Sequence, residues 1–135
     1  MKAYFGRRYL LSASHRLHND ALSADENSAT YGKCNNAHGH GHNYTVEVLV
    51  GGQVNVETGM VMNLVDVDSA ARRAVLDRFD HANLNLDPIF AGQVPTTEVF
   101  CKVIFDLLKD ALPGGSLEHV RVEETENNFF EYRGA

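Results

Sequence analysis

From His38 to Val50 the chain alternates without a break. His38, His40, His42, Tyr44, Val46, Val48 and Val50 all fall on one parity. Successive side chains of a strand point to opposite faces, so a period of two admits a β-strand and no helix. One face of that strand is imidazole at its start and aromatic or β-branched beyond. Gly39 and Gly41 sit on the other parity beside the histidines, and Gly51-Gly52 ends the run. A second alternation places Phe5, Tyr9, Leu11 and Ala13 on the parity of His15, which predicts a strand over 2–15 with His15 near its end.

The remaining segments fill in an α+β domain. Residues 16–37 are polar and turn-rich and predict a long loop, the kind of segment that often carries function. Residues 53–58 predict a turn, and Gly59–Leu64 a short pairing strand. Asp66 or Asp68 is the expected cap of a helix running to about Arg78. Residues 79–95 contain Pro88, Gly92 and Pro95 and predict irregular chain. A second helix starts at Thr96 or Thr97 and carries Val99, Val103, Ile104, Leu107, Leu108 and Ala111 as an apolar stripe, stopped by Pro113-Gly114-Gly115. His119–Thr125 and Phe129–Arg133 predict a closing hairpin. The order β-β-α-α-β-β gives one domain, residues 1–135, with an antiparallel four-stranded sheet and two helices on one face. Such a sheet has two open edges, a pairing liability that an edge-joining oligomer removes.

Charge and composition narrow the function. The formal net charge is −6, which argues against a nucleic-acid partner but permits an anionic small molecule bound by a local basic cluster. Two cysteines, Cys34 and Cys101, make no disulfide framework. Met1–Gly6, followed by Arg7-Arg8, has no secretory-leader pattern, and no apolar run approaches the roughly 18 residues of a membrane helix. The expected location is the cytoplasm, with no membrane partner.

Three imidazoles on one strand face suit a zinc ion, whose catalytic sites keep three protein ligands and one open position. His15, ending the neighbouring strand, can join them. Spacing alone leaves open which of His38, His40 and His42 take part, although His40 and His42 are better anchored by the alternation that follows. Cys34 can be a fourth ligand of a closed site, a thiolate base or nucleophile, or an inert small residue. Cys101 falls in the second helix as a small buried hydrophobe. Asp80-His81 is a candidate proton-transfer pair. Glu123 and Glu124 point to opposite faces of the last long strand, and one of them can grip a ring rich in N–H donors.

Several of these segments resemble one family in order and content. They are Ser12-Ala13-Ser14-His15-Arg16-Leu17, Gly32-Lys33-Cys34-Asn35-Asn36, Gly39-His40-Gly41-His42-Asn43-Tyr44, Thr58-Gly59-Met60-Val61-Met62-Asn63-Leu64, Asp80-His81-Ala82-Asn83-Leu84, Thr96-Thr97-Glu98 and Glu124-Thr125-Glu126-Asn127-Asn128. Nearly the whole chain is similar to the 6-pyruvoyl-tetrahydropterin synthase family. The resemblance implies the tunnelling fold, with subunits joined around a ring and two rings stacked into a homohexamer, a dimer of trimers. It implies zinc on His15, His40 and His42. It implies Cys34 as a proton-abstracting thiolate working with Asp80 and His81, and Glu124 as the carboxylate gripping a pterin, with Thr96 and Thr97 nearby. It places active sites between subunits. The implied reaction converts 7,8-dihydroneopterin triphosphate to 6-pyruvoyl-tetrahydropterin and triphosphate, with Arg16 and Lys33 as candidates for binding the phosphate charge.

A sister branch, 6-carboxytetrahydropterin synthase of queuosine biosynthesis, places its cysteine three residues before His-Gly-His, against five in the biopterin type. Cys34 satisfies both spacings, with His38-Gly39-His40 and with His40-Gly41-His42. The flanking Gly-Lys-Cys-Asn-Asn and Thr-Gly-Met-Val-Met-Asn segments resemble the biopterin type. The lesser alternatives are a non-catalytic zinc protein, with Cys34 as its fourth ligand, and a pterin-binding module without turnover.

Overall fold

A computed structural model describes residues 1–135. The two alternating segments form the longest elements, β1 (Lys2–His15) and β2 (His40–Gln53). They pair antiparallel along their whole length, from Lys2 opposite Gln53 to His15 opposite His40. β2 also pairs antiparallel with β4 (Leu117–Glu123), with a register shift at Leu49/Val50, and β4 pairs with β5 (Phe129–Tyr132). One strand lies outside the predicted sheet. Ala82 and Asn83 form β3, parallel to Ala13-Ser14 of β1, so the sheet has five strands in the order β3-β1-β2-β4-β5. Two residues leave no room for an alternation to show.

One face of the sheet is apolar and the other charged, as period-two patterning requires. Leu11, Tyr44, Val46, Val48, Val50, Val120 and Val122 are buried beneath the helices. The opposite face carries ion pairs such as Arg8–Glu47 at 2.9 Å and Arg121–Glu123 at 3.1 Å. The cover comes mainly from α4 (Thr97–Ala111), which buries Phe100, Cys101, Val103, Ile104, Phe105 and Leu108. Cys101 lies in this core as expected. Its thiol points at the Val120 carbonyl, and burial pushes its pKa up to about 12. The predicted first helix is α2 (Leu64–Ala71), continued through a π-helical segment (Arg72–Leu76) into α3 (Asp77–Phe79). Its cap is Asn63, whose side chain accepts from the Val65 amide, in place of Asp66 or Asp68. Asp68 instead receives Arg7 through two hydrogen bonds and the Tyr9 hydroxyl.

Two expectations are corrected. Residues 16–37 are not simply a loop: they hold α1 (Ala24–Tyr31) and a 3-10 turn (Gly32–Asn35). The helix is polar throughout and has no apolar stripe to announce it. Its capping box is complete, with Ser23 accepting from the Glu26 amide and Glu26 accepting from the Ser23 amide. Its one fully buried residue, Asn27, donates to the carbonyls of Asn19, Leu22 and Ser23 and accepts from the Asn19 amide. Gly59–Leu64 is not a strand. Asn55 folds the preceding residues into a side-chain-closed turn by accepting from the Glu57 and Thr58 amides, and Gly59 turns at φ 73°.

Candidate metal centre and active site

The trio His15, His40 and His42 lies where β1 ends and β2 begins. His15 sits directly across the ladder from His40, and His42 follows two residues along on the same face. One ligand nitrogen from each histidine lies within 4.8 Å of the other two. His15 Nε2 and His40 Nε2 are 3.0 Å apart. Nitrogens held about 2.0–2.1 Å from an ion at tetrahedral angles stand roughly 3.4 Å from one another, so the trio fits a single zinc. A second observation agrees: His42 Nε2 is buried and has no hydrogen-bond partner. The tautomer of His15 is set by the Pro95 carbonyl, 2.7 Å from Nδ1, which leaves Nε2 as the ligand atom. Burial, with neighbouring imidazoles adding to it, lowers the pKa of both His15 and His40 and favours the neutral form a metal needs.

His38 does not join the trio. It is exposed on the turn before β2, because Gly39 breaks the alternation with φ 75°. A Cβ on Gly39 would stand 2.9 Å from the His15 carbonyl oxygen, so the close passage of this turn under His15 requires glycine. Cys34 also stands outside the metal-competent group. It is half-buried in the 3-10 turn, and its carbonyl accepts from the Leu17 amide at 2.8 Å, which ties its segment to the end of β1.

Glu124 enters from the other side. Thr45 pairs with Glu123 and Val46 with Val122, so Glu124 lies one step past the end of β4, opposite Tyr44. One of its oxygens is 3.8 Å from His42 Nε2, and the other accepts from the Thr97 hydroxyl. Asn128 Nδ2 lies 3.4 Å from the first oxygen. Thr96 does a different job: its hydroxyl caps α4 by accepting from the Val99 amide. Tyr44 is fully buried, with its hydroxyl unpartnered, and burial followed by the charge of Glu124 pushes its pKa well up. Pro95, Asn128 and the Tyr44 hydroxyl were not anticipated. The Pro-Thr-Thr-Glu run before α4 was the only signal for the first of them.

Asp80 and His81 make no hydrogen bond and no ring contact with the trio in their own chain. Asp80 accepts from the Ser12 amide at 2.9 Å and lies 3.1 Å from His81 Nδ1. His81 adopts φ 62°, the only positive φ outside glycine, and its amide donates to the Ser12 carbonyl. It lines a cleft of about 340 Å³ with Ser12, Ala13, Ser14, Gly41, His42, Asn43 and Ala82. Ser12, Ser14, Gly41 and Asn43 are of the parity opposite to the trio's, while His42 itself also borders the cleft.

The fold and site together define a tunnelling-fold α+β protein with a metal-competent histidine centre. The chain belongs to the 6-pyruvoyl tetrahydropterin synthase family, a lyase family whose model matches residues 5–135. It is 48% identical over 134 residues to human 6-pyruvoyl tetrahydrobiopterin synthase, covering 98% of this chain and 92% of that protein. The structure of Caenorhabditis elegans 6-pyruvoyl tetrahydropterin synthase superposes with a TM-score of 0.95 at 39% identity, covering 100% of this chain and 97% of that one. A putative 6-carboxy-5,6,7,8-tetrahydropterin synthase of Archaeoglobus fulgidus is 36% identical over 113 residues, covering 84% of this chain and 90% of that protein. No helix is long and apolar enough to cross a membrane.

Proposed function

We propose that the protein converts 7,8-dihydroneopterin triphosphate to 6-pyruvoyl-tetrahydropterin with release of triphosphate, using zinc held by His15, His40 and His42. The observation that carries the proposal is the trio itself, three imidazoles converging beside Glu124, in a chain 48% identical to a named synthase. Zinc bound there would supply Lewis acidity to the side-chain oxygens of the substrate and make the adjacent C–H bonds more acidic. Glu124, steadied by Thr97, accepts hydrogen bonds from the pterin ring and fixes its orientation. Cys34, as a thiolate, takes a proton from the side-chain carbon presented to it. Asp80 orients His81, which returns protons. The side chain is oxidised as the ring is reduced, and triphosphate leaves with the electron pair of its C–O bond, so no outside oxidant or water is consumed.

We further propose that Asp80 and His81 serve the trio of a neighbouring copy within a homohexamer. Two features support this: neither residue of the dyad hydrogen-bonds to the trio of its own chain, and the sheet ends in two short edge strands, β3 and β5.

The second reading is the 6-carboxytetrahydropterin product, favoured by the archaeal relative. Against it, the trio uses the five-residue cysteine spacing, and His38 of the three-residue spacing is exposed on a turn. Incubating the zinc-loaded protein with 7,8-dihydroneopterin triphosphate and identifying the products by mass spectrometry decides between them. The expected products are 6-pyruvoyl-tetrahydropterin and free triphosphate. 6-Carboxytetrahydropterin with acetaldehyde would move the protein to the other branch. No turnover by zinc-replete protein would refute both readings.

A further inference from the structure

Three buried side-chain polar atoms have no hydrogen-bond partner: His42 Nε2, Arg121 Nε and the Tyr44 hydroxyl. Two of them are accounted for. His42 belongs to the metal-competent trio. Arg121 sits between Glu47 and Glu123 and over the Phe129 ring, 3.8 Å from its centroid. The Tyr44 hydroxyl has neither explanation. A native fold seldom leaves such a group unpaired without a use for it.

The ring of Tyr44 is held where it stands. It follows His42 on the core face of β2 and is fully buried. It packs edge-on against the His42 ring at 5.5 Å and against the Phe100 ring of α4 at 5.3 Å. Its hydroxyl faces two side chains of the site, Thr97 and Glu124. Thr97 is itself buried, and its hydroxyl donates to Glu124. A hydroxyl has one proton and two lone pairs, so Thr97 Oγ, with its proton given to Glu124, can still accept. Phenol, hydroxyl and carboxylate thus stand in series with the first link open: the phenol faces Thr97 without a hydrogen bond.

We propose that Tyr44 is a positioning residue for the pterin site: its hydroxyl closes onto Thr97 Oγ when a bound pterin engages Glu124, and so holds the carboxylate from the core side while it grips the ring. This conclusion rests on the dihydroneopterin triphosphate reading above. Ring N–H donors share the Glu124 oxygens with Thr97, which lets the Thr97 hydroxyl settle back onto the phenol. In a buried series of hydrogen bonds each member polarises the next, so the phenol strengthens the Thr97 donor that fixes the carboxylate. Because the link is open in the free chain and closed in the complex, its worth falls on binding and not on folding. Tyr44 itself touches neither the substrate nor the side-chain carbons where the reaction takes place.

The test uses zinc-loaded full-length protein and 7,8-dihydropterin, a pterin without the side chain that reaches the metal, titrated calorimetrically. Tyr44→Phe is expected to weaken dihydropterin binding by roughly three- to ten-fold, the worth of one neutral hydrogen bond, with zinc content unchanged. KM for 7,8-dihydroneopterin triphosphate should rise by the same factor at unchanged kcat, the mark of a contact made alike in ground and transition states. In a Thr97→Val background Tyr44→Phe should have no further effect, because the series has lost its middle member. Equal dihydropterin affinity in wild type and Tyr44→Phe overturns the proposal. That comparison is decisive even where Thr97→Val fails to fold, because phenylalanine fills the space of the tyrosine ring. An undiminished Tyr44→Phe effect in the Thr97→Val background overturns it as well. Tyr44-dependent dihydropterin binding, in a protein that does not turn over dihydroneopterin triphosphate, would uphold the positioning role and refute the reaction. Turnover with unchanged dihydropterin affinity and unchanged KM in Tyr44→Phe would do the reverse.

Discussion

Replacing Gly39 with alanine tests whether the backbone builds the metal centre. Gly39 turns at φ 75°, where a residue with a Cβ costs roughly 1–2 kcal/mol. The added Cβ would also stand 2.9 Å from the His15 oxygen and 3.3 Å from the His15 carbonyl carbon. Neither atom can move cheaply: the next amide, that of Arg16, is held by Asn85, and the His15 ring is held by the Pro95 carbonyl. Overpacking of this kind adds roughly 1–3 kcal/mol. Gly92 supplies the control, with φ 77° and no atom within 4 Å of its would-be Cβ, so Gly92→Ala carries only the conformational cost. At about 4 °C per kcal/mol for a domain of this size, Gly92→Ala should lower Tm by about 4–8 °C and Gly39→Ala by about 8–20 °C. The assay is calorimetry at one protein concentration, with and without zinc. Because the clash falls on a ligand residue, the Gly39→Ala deficit should widen when zinc is present. Equal Tm values for the two variants, with full zinc content in both, would refute this reasoning.

Cys34→Ala should retain zinc, measured by atomic emission, while turnover falls by roughly 10²–10⁴, the usual worth of a general base; loss of zinc instead would make Cys34 a ligand. Mixed assemblies of Cys34→Ala and His81→Ala chains should regain part of the activity that each variant lacks alone, and mixtures as inactive as their parents would place the dyad in its own chain's site. Metal-free protein should lose stability on acidification. His15 and His40 have folded pKa values below the unfolded 6.5, so the unfolded chain binds more protons in that window; their contribution is complete above pH 6.5 and fades as pH falls through the folded values. A metal-free Tm that stays flat from pH 7.5 to 5.5 would contradict it. Tyr44→Phe removes a buried hydroxyl without a partner and should be neutral or stabilising by up to about 1–2 kcal/mol, read from urea midpoints; destabilisation beyond about 1 kcal/mol would reveal a hydrogen bond made by that hydroxyl.

What could be read from sequence followed from periodicity. The alternations on β1 and β2 gave both strands and put His38, His40 and His42 on one face of β2, while the choice of His15, His40 and His42 came from the resemblance and their meeting from the register that sets His15 opposite His40. The stripe on α4 was equally plain. α1 was lost because it buries a single asparagine, although Ser23 and Glu26 spelled its capping box. Asn63 as the cap of α2 was lost because Asp66 and Asp68 are equally good caps by residue type, and only the partnership of Asp68 with Arg7 and Tyr9 distinguishes them. The exclusion of His38 needed a backbone fact, the positive φ of Gly39 beneath His15.

The position of Asp80 and His81 has a further consequence. Their place is decided by the two-residue β3, whose Ala82 lies beside Ala13; the preceding residues are thereby brought against the backbone of Ser12 at the edge of the β1–β2 pair. β1 thus ends in His15 and, three residues earlier, anchors the dyad through the Ser12 amide and carbonyl. Within one chain neither Asp80 nor His81 hydrogen-bonds to His15, His40, His42 or Cys34. With the dyad proposed to serve the trio of a neighbouring copy, two copies have to meet for the reaction to proceed. The short strands β3 and β5 at the sheet margins are then the places where a neighbouring copy would join, and activity should depend on that assembly.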